Sequence, residues 1–204
     1  MPRIDPIALP KPRTSGRTSV EEAISNRRSV RDYHRKPISL SQLAQVLWAA
    51  QGVTDAQSGH RAAPSPGAKY GLELYVFTRK GGVRGLPAGL YHYEPTAHGI
   101  ALVRGGDYSS ELQSAARDQE QIGRAAAIIA MTGVFDRVTP KYGERGIQYV
   151  LQESGSAGEN VYIESTALGL GTVMMGAFDD SHVARLVGAK KGERPLLLMP
   201  LGAL

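Results

Sequence analysis

The sequence predicts an α+β fold in which a central, mainly antiparallel sheet is flanked by helices. Short apolar runs separated by turn residues recur between Leu72 and Met131 and again from Leu196 to Leu201, as expected for strands joined by tight connections. Two other stretches, 39–52 and 146–170, repeat apolar residues at three- and four-residue steps, the period of helices packed on a core. With 204 residues, 42% hydrophobic and 21% charged, the chain suits one domain that buries a sizeable core. The expected boundaries are an extended N-terminal arm over 1–17 and a single domain over 18–204.

The arm is proline-rich, with scattered polar residues and no periodicity. Thr18 is the expected cap of a first helix, with Glu21 completing a capping box and Asn26 near its end. Ser39 and Gln42 repeat that pattern ahead of Leu40, Leu43, Ala44, Leu47, Trp48 and Ala50, a helical face that closes before Gly52. Trp48, the one tryptophan, reads as a core anchor on this face. Residues 60–71 are expected to form a loop around Pro64-Ser65-Pro66-Gly67. Strands follow at 72–77, 83–86, 89–93 and 100–103, then a helix at 109–118 and a central strand at 125–131. In the long helix at 146–170, Gly155 and Gly158 lower helix propensity and point to close approach by another helix or by a flat ligand. A short strand at 173–175, a helix from Asp180 or Ser181 to Val187 and a last strand at 196–201 complete the chain.

Cysteine is absent, which excludes a disulfide scaffold, a thiol nucleophile and a cysteine-ligated cluster, so any redox chemistry needs a bound cofactor. No run approaches 18 apolar residues, and Arg3, Asp5, Lys11, Arg13 and Arg17 interrupt what would be a signal peptide. The expectation is a cytoplasmic enzyme without a membrane partner. The net charge of +5 is concentrated at the start, where residues 1–36 hold nine of the 24 basic residues and four of the 19 acidic ones. Such a block could attract nucleic acid, a membrane surface or a small anionic cofactor. Lack of a nucleic-acid-reading module and of an extended basic track argues against nucleic acid.

Within that block, Arg27, Ser29 and Arg31, with Arg28 adjoining, can surround a phosphate: guanidinium groups give forked, charge-assisted hydrogen bonds and the hydroxyl a compact donor. In an extended segment residues 27, 29 and 31 face one way and Arg28 and Val30 the other. A solvated basic surface is the competing reading. Pro64, Ser65 and Gly67 offer a hydroxyl and backbone groups to a planar heterocycle, or make a simple turn. Gly176 permits close backbone approach, and Met174 or Met175 packs on an aromatic ring or in the core. Lys141 and Tyr142 are a candidate acid–base pair, with a surface loop as the alternative. The five histidines lack metal-ligand spacing, and no G-x-S-x-G, P-loop or strand-associated G-x-G-x-x-G is present.

In combination and in order, SNRRSVRDY at 25–33, LSQLAQVLWAAQG at 40–52, RAAPSPGAKYGLELYVF at 61–77, GLYHYE at 89–94, KYGERGIQYVLQESG at 141–155 and ENVYIESTALGLGTVMMGAFDD at 159–180 resemble the nitroreductase family, in particular its azoline-dehydrogenase-like branch. This resemblance implies a nitroreductase-like fold and an intertwined homodimer with FMN sites made by both subunits. It implies FMN phosphate and ribityl contacts at Arg27, Ser29 and Arg31. Pro64, Ser65 and Gly67 would approach the flavin from the partner subunit, Met175, Gly176 and Ala177 would lie against its ring, and Asn160 would join the dimer-side lining. The long helix would be buried between subunits. Lys141-Tyr142 matches the pair associated with proton handling in azoline oxidation. Gly71 replaces a proline frequent in that branch, which implies a more mobile loop. The expected function is FMN-dependent oxidation of a small or peptidic heterocycle. NAD(P)H-dependent nitro or quinone reduction, with NAD(P)H as co-substrate, and a non-catalytic flavin-binding sensor or storage protein are the alternatives.

Overall fold

The computed structural model describes residues 6–204; Met1 to Asp5, the first part of the expected arm, lie outside the described residues. Strand β1 (Ile7–Ala8) precedes helix α1 (Val20–Asn26), and β2 (Ile38–Ser39) leads into α2 (Leu40–Gln51). A small antiparallel ladder joins β3 (Val53–Asp55) to β4 (His60–Arg61). After β5 (Leu72–Thr78), β6 (Val83–Arg84) pairs in parallel with β2, and β7 (Gly89–Glu94) with β8 (Gly99–Gly105) forms a hairpin. Helices α3 (Ser109–Ala115) and α4 (Glu120–Arg124) lead to β9 (Ala127–Val134). Then come α5 (Thr139–Tyr142), the long α6 (Arg145–Ala167), β10 (Leu170–Thr172), α7 (Asp180–Val187) and β11 (Glu193–Ala203).

The main sheet has seven strands in the order β1-β8-β7-β5-β9-β11-β10, and every pairing in it is antiparallel. Alternation along β5 explains how both faces are covered. Leu72, Leu74 and Val76 point to Leu43 and Leu47 of α2 and to Val150, Ala157 and Val161 of α6. Tyr75 and Phe77 point to the opposite core, with Leu112 of α3, Ile122 of α4 and Val183 and Leu186 of α7. This is the expected sheet between helices.

The capping box at Ser39 and Gln42 forms, with the Ser39 hydroxyl accepting from the Gln42 N–H at 3.1 Å and Gln42 Oε1 accepting from the Ser39 N–H at 2.9 Å. The first helix starts later than expected. Ser19, not Thr18, accepts from the Glu22 N–H at 3.1 Å, and no box with Glu21 forms. Residues 173–175 make only an isolated bridge, Met175 to Leu198, while the strand is β10 just before them. The helix expected over 109–118 stops at Ala115, because Arg117 and Asp118 adopt φ of +57°. The last strand begins at Glu193. Its Pro195 sits at a register shift and its Pro200 precedes the stretch that β10 covers, positions where a missing N–H breaks no ladder.

Trp48 is half-buried rather than central. Its Nε1 donates to the Val53 carbonyl at 3.2 Å, and its ring lines a depression of about 730 Å³ with Arg13, Arg17 and Glu164. The described arm lies along the domain: Ile7 registers on Ile100, and Arg13 exchanges two hydrogen bonds with the buried Gln45 carboxamide, at 2.8 and 3.0 Å. No helix among the described residues is long and apolar enough to cross a membrane.

Candidate functional site

Two constellations gather several of the expected site residues, Asn160 belonging to neither, and α6 contributes one side chain to the centre of each. The first surrounds Tyr162. Its hydroxyl lies 2.9 Å from Ser29 Oγ and accepts the Met174 N–H at 2.8 Å, while its ring lies 4.9 Å below the Arg27 guanidinium. One tyrosine thus ties the basic segment to the backbone that leads into Met175, Gly176 and Ala177.

The path after α1 gives the expected alternation only at Val30, since Arg28 is as exposed as Ser29 and Arg31. Val30 turns inward and its N–H donates to the Thr172 carbonyl at 2.9 Å, whereas Ser29 and Arg31 are exposed. Arg28 folds back on its own helix, donating to the Ser25 and Arg27 carbonyls at 2.9 and 2.8 Å, a C-terminal cap. Arg27 is one-third exposed, and its ion-pair contact with Glu159 is long at 3.9 Å. Met175 is buried, with its sulfur 3.7 Å from Gln121 Nε2. Gly176 and Ala177 are exposed, and a methyl group added at Gly176 would meet nothing within 4 Å.

The second constellation surrounds Glu153, which is only 2% exposed. Ser65 Oγ donates to its carboxylate at 2.6 Å, the Gly71 N–H at 3.3 Å and Gln51 Nε2 at 3.3 Å. Burial raises the pKa of this carboxyl against the lowering effect of those donors and of Arg61. The loop they hold makes a 3-10 turn at Pro66–Ala68 whose Gly67 has φ +58°. Pro64 and Gly67 are exposed. Gly71, which stands where the resemblance expects a proline, is hydrogen-bonded on both sides, its carbonyl accepting the Val134 N–H at 2.7 Å.

Lys141 and Tyr142 occupy α5, one helical turn with Pro140 near its start and Gly143, at φ +56°, ending it. They are in a short helix rather than an irregular segment. Both nevertheless reach the same place: a methyl group added at Gly67 would lie 2.7 Å from the Tyr142 hydroxyl and 3.1 Å from Lys141 Nζ. Lys141 Nζ lies 5.1 Å from the centroid of the Tyr142 ring, which packs edge-on against Tyr149 at 5.2 Å. Asn160 turns to α2, its Nδ2 donating to the Ala49 carbonyl at 2.9 Å. Gly158 accommodates the Met174 methyl group, whereas Gly155 faces open space.

Sequence reasoning missed Glu153 and Tyr162. Glu153 carried a readable signal, a carboxylate three residues after Val150 and four before Ala157 on a buried helical stripe. It also missed a charged cluster on the other sheet face. There His92 lies 2.7 Å from Glu73 and 3.0 Å from Glu94, while Arg137 pairs with Glu73 and donates to the Tyr70 carbonyl at 3.0 Å.

The donor set of the first constellation fits a flavin mononucleotide. Arg27 and Ser29 set a cation and a hydroxyl about Tyr162, Arg31 is exposed two residues on, and the backbone at Gly176 is open, a set of groups that would suit a phosphate and a flat ring. Glu153 and Tyr162 are nine positions apart, roughly 14 Å along the axis of α6. The two constellations are therefore distinct surfaces of one chain.

A model described as the nitroreductase family matches residues 24–203. The chain belongs to the nitroreductase family. It is 42% identical over 183 residues to a protein of Methanocaldococcus jannaschii provisionally named a nitroreductase, covering 90% of each. It is 25% identical to the microcin B17-processing protein McbC of Escherichia coli over 82% of this chain, and spans 63% of McbC, less than two thirds of that protein. Among solved structures, a provisionally named nitroreductase of Ralstonia eutropha superposes with a TM-score of 0.83 at 29% identity, over 97% of this chain and 88% of the other. The NADPH:FMN oxidoreductase of Vibrio harveyi shares the fold, with a TM-score of 0.64 at 18% identity over 90% of this chain and 65% of the other. This nitroreductase-family chain thus has an oxidoreductase fold with helices on both faces of one antiparallel sheet.

Proposed function

We propose that this protein is an FMN-dependent oxidoreductase that works as a homodimer and oxidises an azoline-type heterocycle. The observation that carries the choice of reaction is the convergence of Lys141 and Tyr142 on Gly67, because it places an amine and a phenol beside the loop expected to approach the flavin. Arg27, Ser29 and Arg31 would hold the phosphate, and the backbone at Gly176 and Ala177 would bear on the ring. The likeness to McbC supports the azoline branch, and the fold shared with an FMN oxidoreductase supports the cofactor.

Bound flavin would supply a two-electron acceptor for hydride. Oxidation of an azoline to an azole also removes a proton from carbon, and Lys141 or Tyr142 is the side chain placed to take it. The loop at 64–67, with Gly67 beside Lys141 and Tyr142, would line the site of the heterocycle. The exposed stripe Ile147, Leu151 and Gly155 on α6, at four-residue spacing, supports association with a second copy.

An anaerobic donor screen on FMN-loaded protein tests this reading. Bleaching of the flavin absorbance by an azoline and not by NAD(P)H is the expected result. Bleaching by NAD(P)H alone identifies a nitro or quinone reductase, and no bleaching by either donor identifies a flavin-binding protein without turnover. Lys141→Ala is expected to slow the azoline reaction by about 10²-fold or more with FMN still bound.

A further inference from the structure

We propose that Glu153 is a positioning residue, whose buried carboxylate sets the 64–71 loop, and through Gly67 the Lys141-Tyr142 pair, in reactive geometry. This rests on the oxidoreductase reading above for its functional part. The structural part stands on the loop itself.

Glu153 projects from the face of α6 that otherwise buries Val150, Ala157 and Val161. A carboxylate there costs desolvation that an apolar side chain of similar size would not, so packing alone gives no reason for it. Its partners supply the reason. Ser65, Gly71 and Gln51 all donate to it, and an ionised carboxylate is the side chain that can accept from every direction while donating nothing. The Ser65 hydroxyl is thereby oriented: it accepts the Tyr70 N–H at 2.8 Å and donates its own hydrogen bond to Glu153 at 2.6 Å.

The loop needs such anchoring. Gly67, Ala68 and Tyr70 all adopt positive φ, at +58°, +52° and +49°, and two of these three residues carry a side chain. Left-handed backbone at residues with a Cβ persists only where the surroundings over-determine it. Here the bonds to Glu153 from Ser65 and Gly71 bracket the strained stretch. At its apex Gly67 abuts the Tyr142 hydroxyl and Lys141 Nζ, so release of the brackets frees the side chains proposed to move the proton.

The test compares wild type with Glu153→Gln and Ser65→Ala, first without flavin, by amide hydrogen exchange. Glu153→Gln puts an amide donor where donors converge. The expected result is faster exchange confined to 64–71 and 139–143, by on the order of tenfold, with β9 and α2 unchanged. Ser65→Ala should raise exchange in the same segments, and the double variant should add little to either, since both remove one link. In FMN-loaded protein the maximal rate of flavin reduction by the azoline should fall about ten- to a hundredfold, with the half-saturating azoline concentration changed far less. Unchanged exchange at 64–71 overturns the proposal, as does an increase spread evenly over the chain. Should Glu153→Gln not fold, Ser65→Ala decides by the same criterion. Failure of the wild type to bind FMN would sink the functional reading and leave the exchange result standing, while normal loop exchange in both variants would do the reverse.

Discussion

Gly67 and Tyr142 are in contact: the space where a Cβ on Gly67 would project is bounded by the Tyr142 hydroxyl at 2.7 Å. Because Gly67 also sits at φ +58°, Gly67→Ala combines a left-handed strain of about 1 kcal/mol or somewhat more with displacement of the tyrosine tip. The obstructing atoms are the ends of side chains, so the fold survives and the reacting geometry suffers. The expected outcome is a drop of a few degrees in Tm together with a loss of azoline oxidation on the order of a hundredfold. A variant with a lowered Tm and the wild-type rate would remove Tyr142 and Lys141 from the mechanism.

Tyr162 joins two backbone segments through one hydroxyl, so Tyr162→Phe separates the effects of ring and hydroxyl. The ring still carries the Arg27 guanidinium, but the Met174 N–H and Ser29 lose a partner. The expected cost is about 1 to 2 kcal/mol of stability, with FMN binding weakened about tenfold as the 174–177 segment loosens. Urea titration reads the first and quenching of flavin fluorescence the second. Unaltered affinity would show that Tyr162 serves the fold alone.

These two hubs mark where the sequence stopped being informative. Local rules were enough wherever one segment determines its own shape, as at the capping box of Ser39 and Gln42 or the apolar run, expected over 72–77, that forms β5. They failed where tertiary partners decide. Glu120–Arg124 is too short to show a helical period, and Ile7–Ala8 is a strand only because β8 is beside it. Thr18 and Ser19 are both competent caps by residue type, and the structure uses the second. Arg27, Ser29, Gly67 and Lys141-Tyr142 could be nominated from residue type and resemblance. That Lys141-Tyr142 meets Gly67, and that Glu153 and Tyr162 stand behind the two surfaces, depends on how α6 packs against segments nearly 90 and more than 130 residues away.

The cluster at His92 predicts a pH dependence of stability. Burial lowers the imidazole pKa, but the hydrogen bonds and charges of Glu73 and Glu94 outweigh it and leave the pKa above 6.5. Burial likewise opposes ionisation of Glu73, and the hydrogen bonds and charges of His92 and Arg137 bring its pKa down to about 2. A raised histidine contributes stability that is fully present below 6.5 and is lost as pH rises through its folded value. A depressed carboxylate contributes stability present above 4.5 and lost as pH falls toward 2. The neighbours that bear on the ring are Tyr75 on β5, with Lys190, Lys191 and Glu193 around the same cavity. Thermal melts of wild type and His92→Gln should therefore differ most between about pH 4.5 and 6.5 and converge as pH rises past the raised folded pKa of His92. A difference independent of pH over that range would show that the charge of His92 contributes nothing.

Association is predicted by a row of residues rather than by any one of them. Ile147 and Leu151 are 36% and 47% exposed on α6, one helical turn apart, and Gly155 continues the row with open space above it. In an isolated chain such a stripe leaves apolar surface in water, whereas a second α6 laid along it would bury the side chains and approach closely at the glycine. The first and second constellations lie at different points along this same helix, so a dimer through α6 could bring the Arg27-Ser29-Arg31 surface of one subunit toward the Gly67 loop of its partner. Leu151→Glu puts a charge into that contact without disturbing the buried side of the helix. Light scattering coupled to size exclusion should report a dimer for the wild type and a monomer for Leu151→Glu, and FMN affinity should fall at least tenfold with the transition if both subunits build the site. A monomeric variant that binds FMN as tightly as the wild type would place the whole site within one chain.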